Sequence, residues 1–70
     1  MERTKVQSSS LVSVGFDPST STLEIEFTGR GVYQYRGVPK HIHEELLATP
    51  SKGVYYAHNI KKVYQSKKVG

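Results

Sequence analysis

Cysteine is absent from all 70 residues, which excludes disulfides, a thiolate nucleophile and any zinc site built on thiolates. Small secreted domains usually depend on disulfides, so the composition predicts a reducing compartment, the cytoplasm. The polar stretch 1–5 is not followed by the apolar segment that a signal peptide needs. No apolar run approaches the roughly 18–20 residues of a membrane span, so no membrane association is expected.

Acidic residues are also few: six Asp and Glu stand against ten Lys and Arg, which gives a net charge of +4. This excess favours an anionic partner, such as nucleic acid or an acidic protein surface. The same excess is ordinary for a small domain that must stay soluble. A chain of this length forms one domain at most and buries only about 60% of its unfolded surface, which leaves little room for a deep catalytic pocket.

Three segments show the two-residue alternation of antiparallel strands. They are Leu11–Phe16, Thr22–Thr28 and Val32–Arg36. In the first segment, Val12, Val14 and Phe16 are expected on the core face. In the second, the apolar side chains point inward, and Glu24 and Glu26 point to an open face of the sheet.

Turn residues separate these strands, and two helices follow them. Asp17-Pro18-Ser19-Thr20 predicts a turn and Gly29-Arg30-Gly31 a hairpin loop. A first helix is predicted over Lys40–Thr49, between Pro39 and Pro50. Ser51 is expected to cap a second helix that continues to Tyr64 or Gln65. The order predicts an α+β fold, a three-stranded antiparallel meander followed by two helices packed on one face.

Residue patterns for catalysis or metal binding are weak. His41 and Glu45 are four residues apart on a helix, but zinc needs three or four protein ligands, and a solvated surface explains the pair. Glu24 and Glu26 on an open face would lack the burial that raises the pKa of a general acid. Asp17 is accounted for by its turn, and no nucleophile elbow is present. We therefore predict no enzyme activity, no metal and no cofactor.

The second helix carries the strongest binding pattern. Tyr55, His58 and Lys62 follow spacings of three and four, and an aromatic ring among positive charges suits phosphate contact and base stacking. A solvated helix face with extended lysines gives the same pattern. Arg30, Lys67 and Lys68 extend the charge. The predicted nucleic-acid surface consists of Arg36, Lys52, Tyr55, Lys61 and Lys62.

A second anion site is conceivable at Pro50-Ser51-Lys52-Gly53, where a helix N-terminus offers free N–H groups. This segment lacks the Walker A frame, and a helix cap with a surface lysine explains it. Tyr33 and Tyr35 share one strand face. Because Glu24 and Glu26 would repel a phosphate backbone on the open face, we expect both tyrosines to point inward, with their hydroxyls at the rim of the core.

Together these segments resemble the KTSC domain, a family named for its occurrence at the C-terminus of some lysyl-tRNA synthetases and also found as stand-alone bacterial proteins of about this length. The resemblance rests on Ser9-Ser10, Val14-Gly15-Phe16-Asp17, Leu23-Glu24-Ile25-Glu26-Phe27, Tyr33-Gln34-Tyr35, Gly37-Val38-Pro39, Glu44-Glu45-Leu46-Leu47, Ser51-Lys52-Gly53 and Ile60-Lys61. Its signature residues Tyr33, Tyr35, Gly37 and Pro39 are expected to be structural. His41 and His43 are more polar than the family pattern.

The polar stretch 1–9 and the basic stretch 66–70 predict a flexible arm and a fraying tail around a single α+β domain over residues 10–65. We expect a cytoplasmic, non-enzymatic binding module, and the synthetase context of the resemblance suggests RNA or tRNA as its partner. The alternative is a protein–protein interaction module that uses an edge strand or a helix face.

Overall fold

The computed structural model describes all 70 residues as two helices packed on one face of a five-stranded antiparallel sheet. The strands are β1 (Thr4–Lys5), β2 (Leu11–Asp17), β3 (Thr22–Phe27), β4 (Gly31–Arg36) and β5 (Ser66–Lys68), and the helices are α1 (Lys40–Ala48) and α2 (Lys52–Asn59). The strands lie in the sheet in chain order. The predicted α+β class and the two helices are confirmed, but the predicted number of three strands is wrong.

The two additional strands come from the segments predicted as an arm and a tail. Thr4 pairs with Val14 in β1–β2, and Ser66 pairs with Tyr35 in β4–β5. These edge strands have only two and three residues, all of them exposed. They carry no apolar alternation, so periodicity in the sequence could not reveal them.

The central meander forms as the turn residues predict. Asp17 Oδ1 accepts hydrogen bonds from the backbone N–H of Ser19 at 3.0 Å and from its hydroxyl at 2.7 Å. These bonds hold the pKa of the Asp17 carboxyl below its ordinary value. In the hairpin between β3 and β4, Gly29 and Gly31 have φ angles of +73° and +93°, in the left-handed region that favours glycine.

A β-bulge at Val12 changes which side chains of β2 reach the core. Leu11 lies opposite Phe27, whereas Ser13 lies opposite Glu26, so Val12 is an extra residue in the ladder. Leu11 and Val14 are therefore both buried. The expectation that Val12, Val14 and Phe16 would share the core face is wrong for Val12, and Leu11 takes the core position instead.

Helix α1 matches its predicted range to within one residue, but α2 ends at Asn59 rather than at Tyr64 or Gln65. Ile60 is fully buried and leaves the helical conformation, with a φ of −123°. The chain then turns, so that Gln65 O accepts a hydrogen bond from the Arg36 N–H at 3.2 Å and β5 aligns beside β4. The helix therefore ends early because the following residues pair with the sheet, and the local sequence carries no signal for that pairing.

The core lies between the sheet and the helices. Its nine buried side chains are Leu11, Val14, Leu23, Ile25, Phe27, Tyr35, Val38, Leu46 and Ile60. Each helix contributes through one anchoring region: Leu46 from α1, and Ile60 directly after α2. Ile60 therefore anchors the end of α2 in the core, and Tyr56, one turn earlier, packs against Phe27 and Tyr35 of the sheet.

Candidate nucleic-acid interface

The sheet face opposite the helices, here called the outer face, is occupied by an ionic network. Arg3 Nη1 lies 2.5 Å from Glu24 Oε2, and the Arg3 Nε donates to the Ser13 hydroxyl at 2.9 Å. Gln34 Nε2 donates to Glu24 Oε1 at 2.8 Å, and the Ser13 hydroxyl donates to Glu26 Oε1 at 2.9 Å. Glu24 points away from the core as expected, but it is only 6% exposed, so the expectation that the sheet face around it is open is wrong.

The network explains the ionisation of Glu24. Burial by itself would raise the pKa of this carboxyl, but hydrogen bonds from Gln34 and Arg3, with the positive charge of Arg3, outweigh that effect and hold the pKa below its ordinary value. The segment before β1 therefore supplies the cation that allows a carboxylate in the middle of the sheet. This pairing partly offsets the negative charge that the sequence places on the outer face.

Arg36 lies exposed at the end of β4, on the outer face of the sheet. With Gln34 and Lys67 it lines a shallow cavity of about 160 Å³ beside β5. The pairing of Gln34 with Lys67 in the β4–β5 ladder places these two side chains next to each other. Lys67, which was expected in a fraying tail, therefore lies beside Arg36, one of the predicted binding residues.

Lys61 lies on the opposite side of the same sheet edge. It lines a cavity of about 300 Å³ with Arg30 and four aromatic side chains from β3, β4 and α2. Tyr33 and Tyr35 are among those side chains and face the helices, which confirms their predicted direction. Tyr35 is 3% exposed, and its hydroxyl oxygen lies 2.5 Å from that of Tyr56.

Tyr55 and Lys52 do not join these residues. The Tyr55 hydroxyl donates to Glu45 Oε1 at 2.6 Å, and its half-buried ring packs against the core. Burial, followed by the hydrogen bond to Glu45 and the charge of that carboxylate, raises the pKa of Tyr55 to about 12. Lys52 Nζ donates to the Thr49 carbonyl oxygen at 2.8 Å, at the other end of α2. Lys62 is exposed in the turn after α2.

Glu45 is thus occupied by Tyr55, while His41 is exposed on α1. No group of three or more His, Cys, Asp or Glu side chains converges anywhere in the structure. Neither helix is long and apolar enough to cross a membrane.

Positive charge is concentrated at the edge of the sheet where β5 lies. No acidic residue occurs between Glu26 and Glu44 or after Glu45, so every charged side chain of β4, α2 and β5 is cationic. We use the term basic edge for the six cationic residues of β4, β5 and their flanking turns, which are Arg30, Arg36, Lys61, Lys62, Lys67 and Lys68. The absence of acidic residues from the C-terminal third of the sequence is the signal that could have added Lys67 and Lys68 to the predicted nucleic-acid surface.

Known proteins match this chain over most of its length. The KTSC domain matches residues 7–64. The crystal structure of a KTSC domain protein from Yersinia pestis superposes with a TM-score of 0.96 at 39% sequence identity, covering 99% of this chain and 97% of that one. An uncharacterized protein from Stutzerimonas stutzeri is 41% identical over 56 residues, which are 80% of this chain and 79% of that protein.

A longer protein contains a similar region. The lysine–tRNA ligase of a Nostoc species is 39% identical over 57 residues, which are 81% of this chain but 10% of the ligase. The match is therefore to a small part of that enzyme. On the sequence match and the shared fold, the chain belongs to the KTSC domain family.

Proposed function

We propose that this domain is a cytoplasmic RNA-binding module that contacts phosphates through its basic edge. The observation that carries the proposal is the placement of six cationic residues around β4 and β5, on elements without a single acidic residue. Binding to nucleic acid depends largely on Lys and Arg neutralising phosphates and releasing counterions. A strip of one charge sign along a sheet edge is suited to that task.

The relatives support RNA as the polyanion. A region similar to this chain forms 10% of a lysine–tRNA ligase, an enzyme whose name identifies tRNA as a substrate. A small cationic domain attached to such an enzyme would add affinity for the tRNA backbone. The same chemistry in this chain makes tRNA, or another structured RNA, the first partner to test.

The basic edge offers cations on both faces of the sheet. Arg36 and Lys67 lie on the outer face, while Arg30 and Lys61 lie on the helix face. Ser66 lines the cavity on each side, so only the width of strand β5 separates the two pairs. If four of these cations contact a single strand, the affinity falls about 50-fold between 50 and 200 mM salt.

The alternative is a protein partner that pairs with an edge strand. The two edges of this sheet are strands of two and three residues, and both carry lysines. Short, charged edges are the features by which natural sheets avoid strand addition. These features favour a phosphate contact over strand pairing at β5.

The test is an amide NMR titration of the labelled domain with a tRNA and with a short single-stranded RNA, at about 50 and 200 mM salt. We expect shifts at Arg36, Lys61 and Lys67 that fade at the higher salt. Replacing Lys61 and Lys67 with Gln should lower the slope of log affinity against log salt by about one for each lysine.

The matched control is Lys40→Gln, because Lys40 is an exposed lysine on α1 whose ammonium lies 3.8 Å from Glu44. The control should bind RNA like the unchanged domain. An equal loss in this control would show that net charge, rather than the basic edge, governs binding. Absence of binding at the lower salt would overturn the proposal.

A further inference from the structure

The cavity on the helix side of the basic edge combines aromatic walls with a cationic rim. It encloses about 300 Å³, which is at the lower end of the range for small-molecule sites. Its walls are the rings of Phe27, Tyr33, Tyr35 and Tyr56, and its rim carries Arg30 and Lys61. A cavity of this size accommodates one planar ring system and little more.

The rings form a continuous edge-to-face cluster. Phe27 and Tyr56 have their centroids 4.9 Å apart at 61°, and Phe27 and Tyr33 are 5.8 Å apart at 72°. Tyr35 meets Tyr56 at 5.8 Å and 76°. Tyr33 and Tyr56 are only half-buried, so part of their ring surface remains open to a ligand. Aromatic surfaces of this kind stack on any nucleobase.

The polar groups favour an anionic ligand over a cationic one. The Arg30 guanidinium lies 5.6 Å from the centroid of the Phe27 ring, and no carboxylate lines the cavity. Aromatic sites for cations work through the ring faces, and here a guanidinium already occupies one of those faces. Arg30 and Lys61 would repel a further cation and attract a phosphate.

The hydroxyl pair adds a directional contact. Tyr35 and Tyr56 hold two hydroxyl hydrogens, and the hydrogen bond between them uses one. Burial, together with that hydrogen bond, raises the pKa of Tyr35 above its ordinary value of 10.0, so this phenol holds its proton more firmly than an exposed tyrosine does. One hydrogen of the pair is therefore left to donate to an acceptor such as the carbonyl oxygen or ring nitrogen of a base.

We infer that this cavity binds one unstacked nucleobase, with the attached phosphate held by Arg30 and Lys61. The inference rests on the proposed function, since it assigns the RNA base to a defined place beside the phosphate contacts. The shared chemistry is that of a nucleoside monophosphate. Such a group can come from a free mononucleotide or from a nucleotide within an RNA strand.

The experiment compares two short oligonucleotides with the same number of phosphates, a uridine hexamer and its abasic counterpart, for binding to the full chain. We expect the uridine hexamer to bind at least tenfold more tightly. Tyr33→Leu, which keeps an apolar side chain but removes the ring, should reduce that ratio toward one. Tyr56→Phe, which removes only a hydroxyl, serves as a second variant in case Tyr33→Leu does not fold, and should reduce the ratio about threefold. Lys67→Gln should weaken both hexamers equally.

A second arm uses uridine monophosphate and inorganic phosphate, followed by aromatic NMR signals. Shifts of the Tyr33 and Tyr56 ring signals with the nucleotide, but not with phosphate, support the inference. If these shifts occur although neither hexamer binds, the cavity takes a free nucleotide rather than a nucleotide within a strand. Equal binding of the two hexamers would overturn the base site and leave the phosphate contacts standing. If neither hexamer binds and the nucleotide moves no ring signal, the base site is overturned, whereas the tRNA titration decides separately whether the basic edge binds RNA.

Discussion

The hydroxyl oxygens of Tyr35 and Tyr56 lie 2.5 Å apart and join β4 to α2 where the helix approaches the sheet edge. Tyr35 is the second tyrosine of the Tyr33-Gln34-Tyr35 motif and is almost fully buried. Its ring closes the core while its hydroxyl reaches the cavity beside the basic edge. One residue of the motif therefore contributes to packing and to the candidate site.

The tyrosine pair should be detectable as a coupling in stability. Tyr35→Phe and Tyr56→Phe each remove the same hydrogen bond, so each should lower the free energy of unfolding by about 0.5–1.5 kcal/mol. The double variant should lose little more than one single variant, which urea denaturation can measure. Tyr64→Phe is the control, because the Tyr64 hydroxyl makes no hydrogen bond within the protein. Additive losses would argue against the coupling.

The Arg3 network predicts that the segment before β1 is structural. Arg3→Ala leaves the buried Glu24 carboxylate with only Gln34, and should lower the free energy of unfolding by about 1–3 kcal/mol. Lys5→Ala removes a neighbouring exposed cation without an ion pair and should change it by less than about 0.5 kcal/mol. Equal, small effects in urea denaturation would instead describe the flexible arm that the sequence suggested.

These features show which parts of the fold were available from the sequence. The alternation around Ile25 and the turn at Asp17 are local signals, and both predicted the structure correctly. The positions of Val12, Ile60 and Ser66 depend on pairing between distant segments, which no local pattern encodes. The candidate site shows the same division. Lys61 was identifiable by charge, whereas the hydrogen bond from Tyr55 to Glu45, ten residues away, could only be found in three dimensions.

Acid should destabilise the domain through Glu24. Its folded pKa lies below the ordinary value of 4.5, so the unfolded chain takes up the proton first as the pH falls. The stabilisation is complete above about pH 4.5 and is lost as the pH falls through the folded pKa. Glu24→Gln should therefore flatten the fall in the free energy of unfolding below that pH, as measured by urea denaturation at pH 3–5. An unchanged slope would mean that Glu24 ionises alike in both states.

His43 should add a second pH dependence, closer to neutrality. Its ring stacks on Phe16 at 5.2 Å and 14°, and burial lowers its pKa below 6.5 although the charge of Glu44 opposes the shift. Because the unfolded state binds the proton first, stability is complete above about pH 6.5 and falls as the pH drops toward the folded pKa.

Replacing His43 with Phe retains the stacking and should abolish this step, and NMR titration of the imidazole reads the folded pKa directly. The exposed His41, replaced with Gln, is the control and should leave the step in place. A folded pKa of His43 at or above 6.5 would contradict the expectation.

Deleting strand β5 tests whether residues 66–70 form a structural edge of the sheet or a charged tail. The Val32 carbonyl accepts the Val69 N–H at 2.8 Å, and the Val32 N–H donates to the Gly70 carbonyl at 3.1 Å. The Gly70 carbonyl oxygen lies so close to Gly31, at the start of β4, that a Cβ at position 31 would collide with it. Deleting residues 66–70 removes these bonds and the whole β4–β5 pairing, so the free energy of unfolding should fall by about 2 kcal/mol or more.

The matched variant is the double substitution of Lys67 and Lys68 with Ser, which keeps the strand and removes only its charge. It should leave stability within about 0.5 kcal/mol of the unchanged domain while weakening RNA binding. Because these side chains are exposed, their contribution is expected in affinity rather than in folding. A deletion that costs no stability would show that residues 66–70 are a tail after all, and the basic edge would then lack the strand that fixes its geometry.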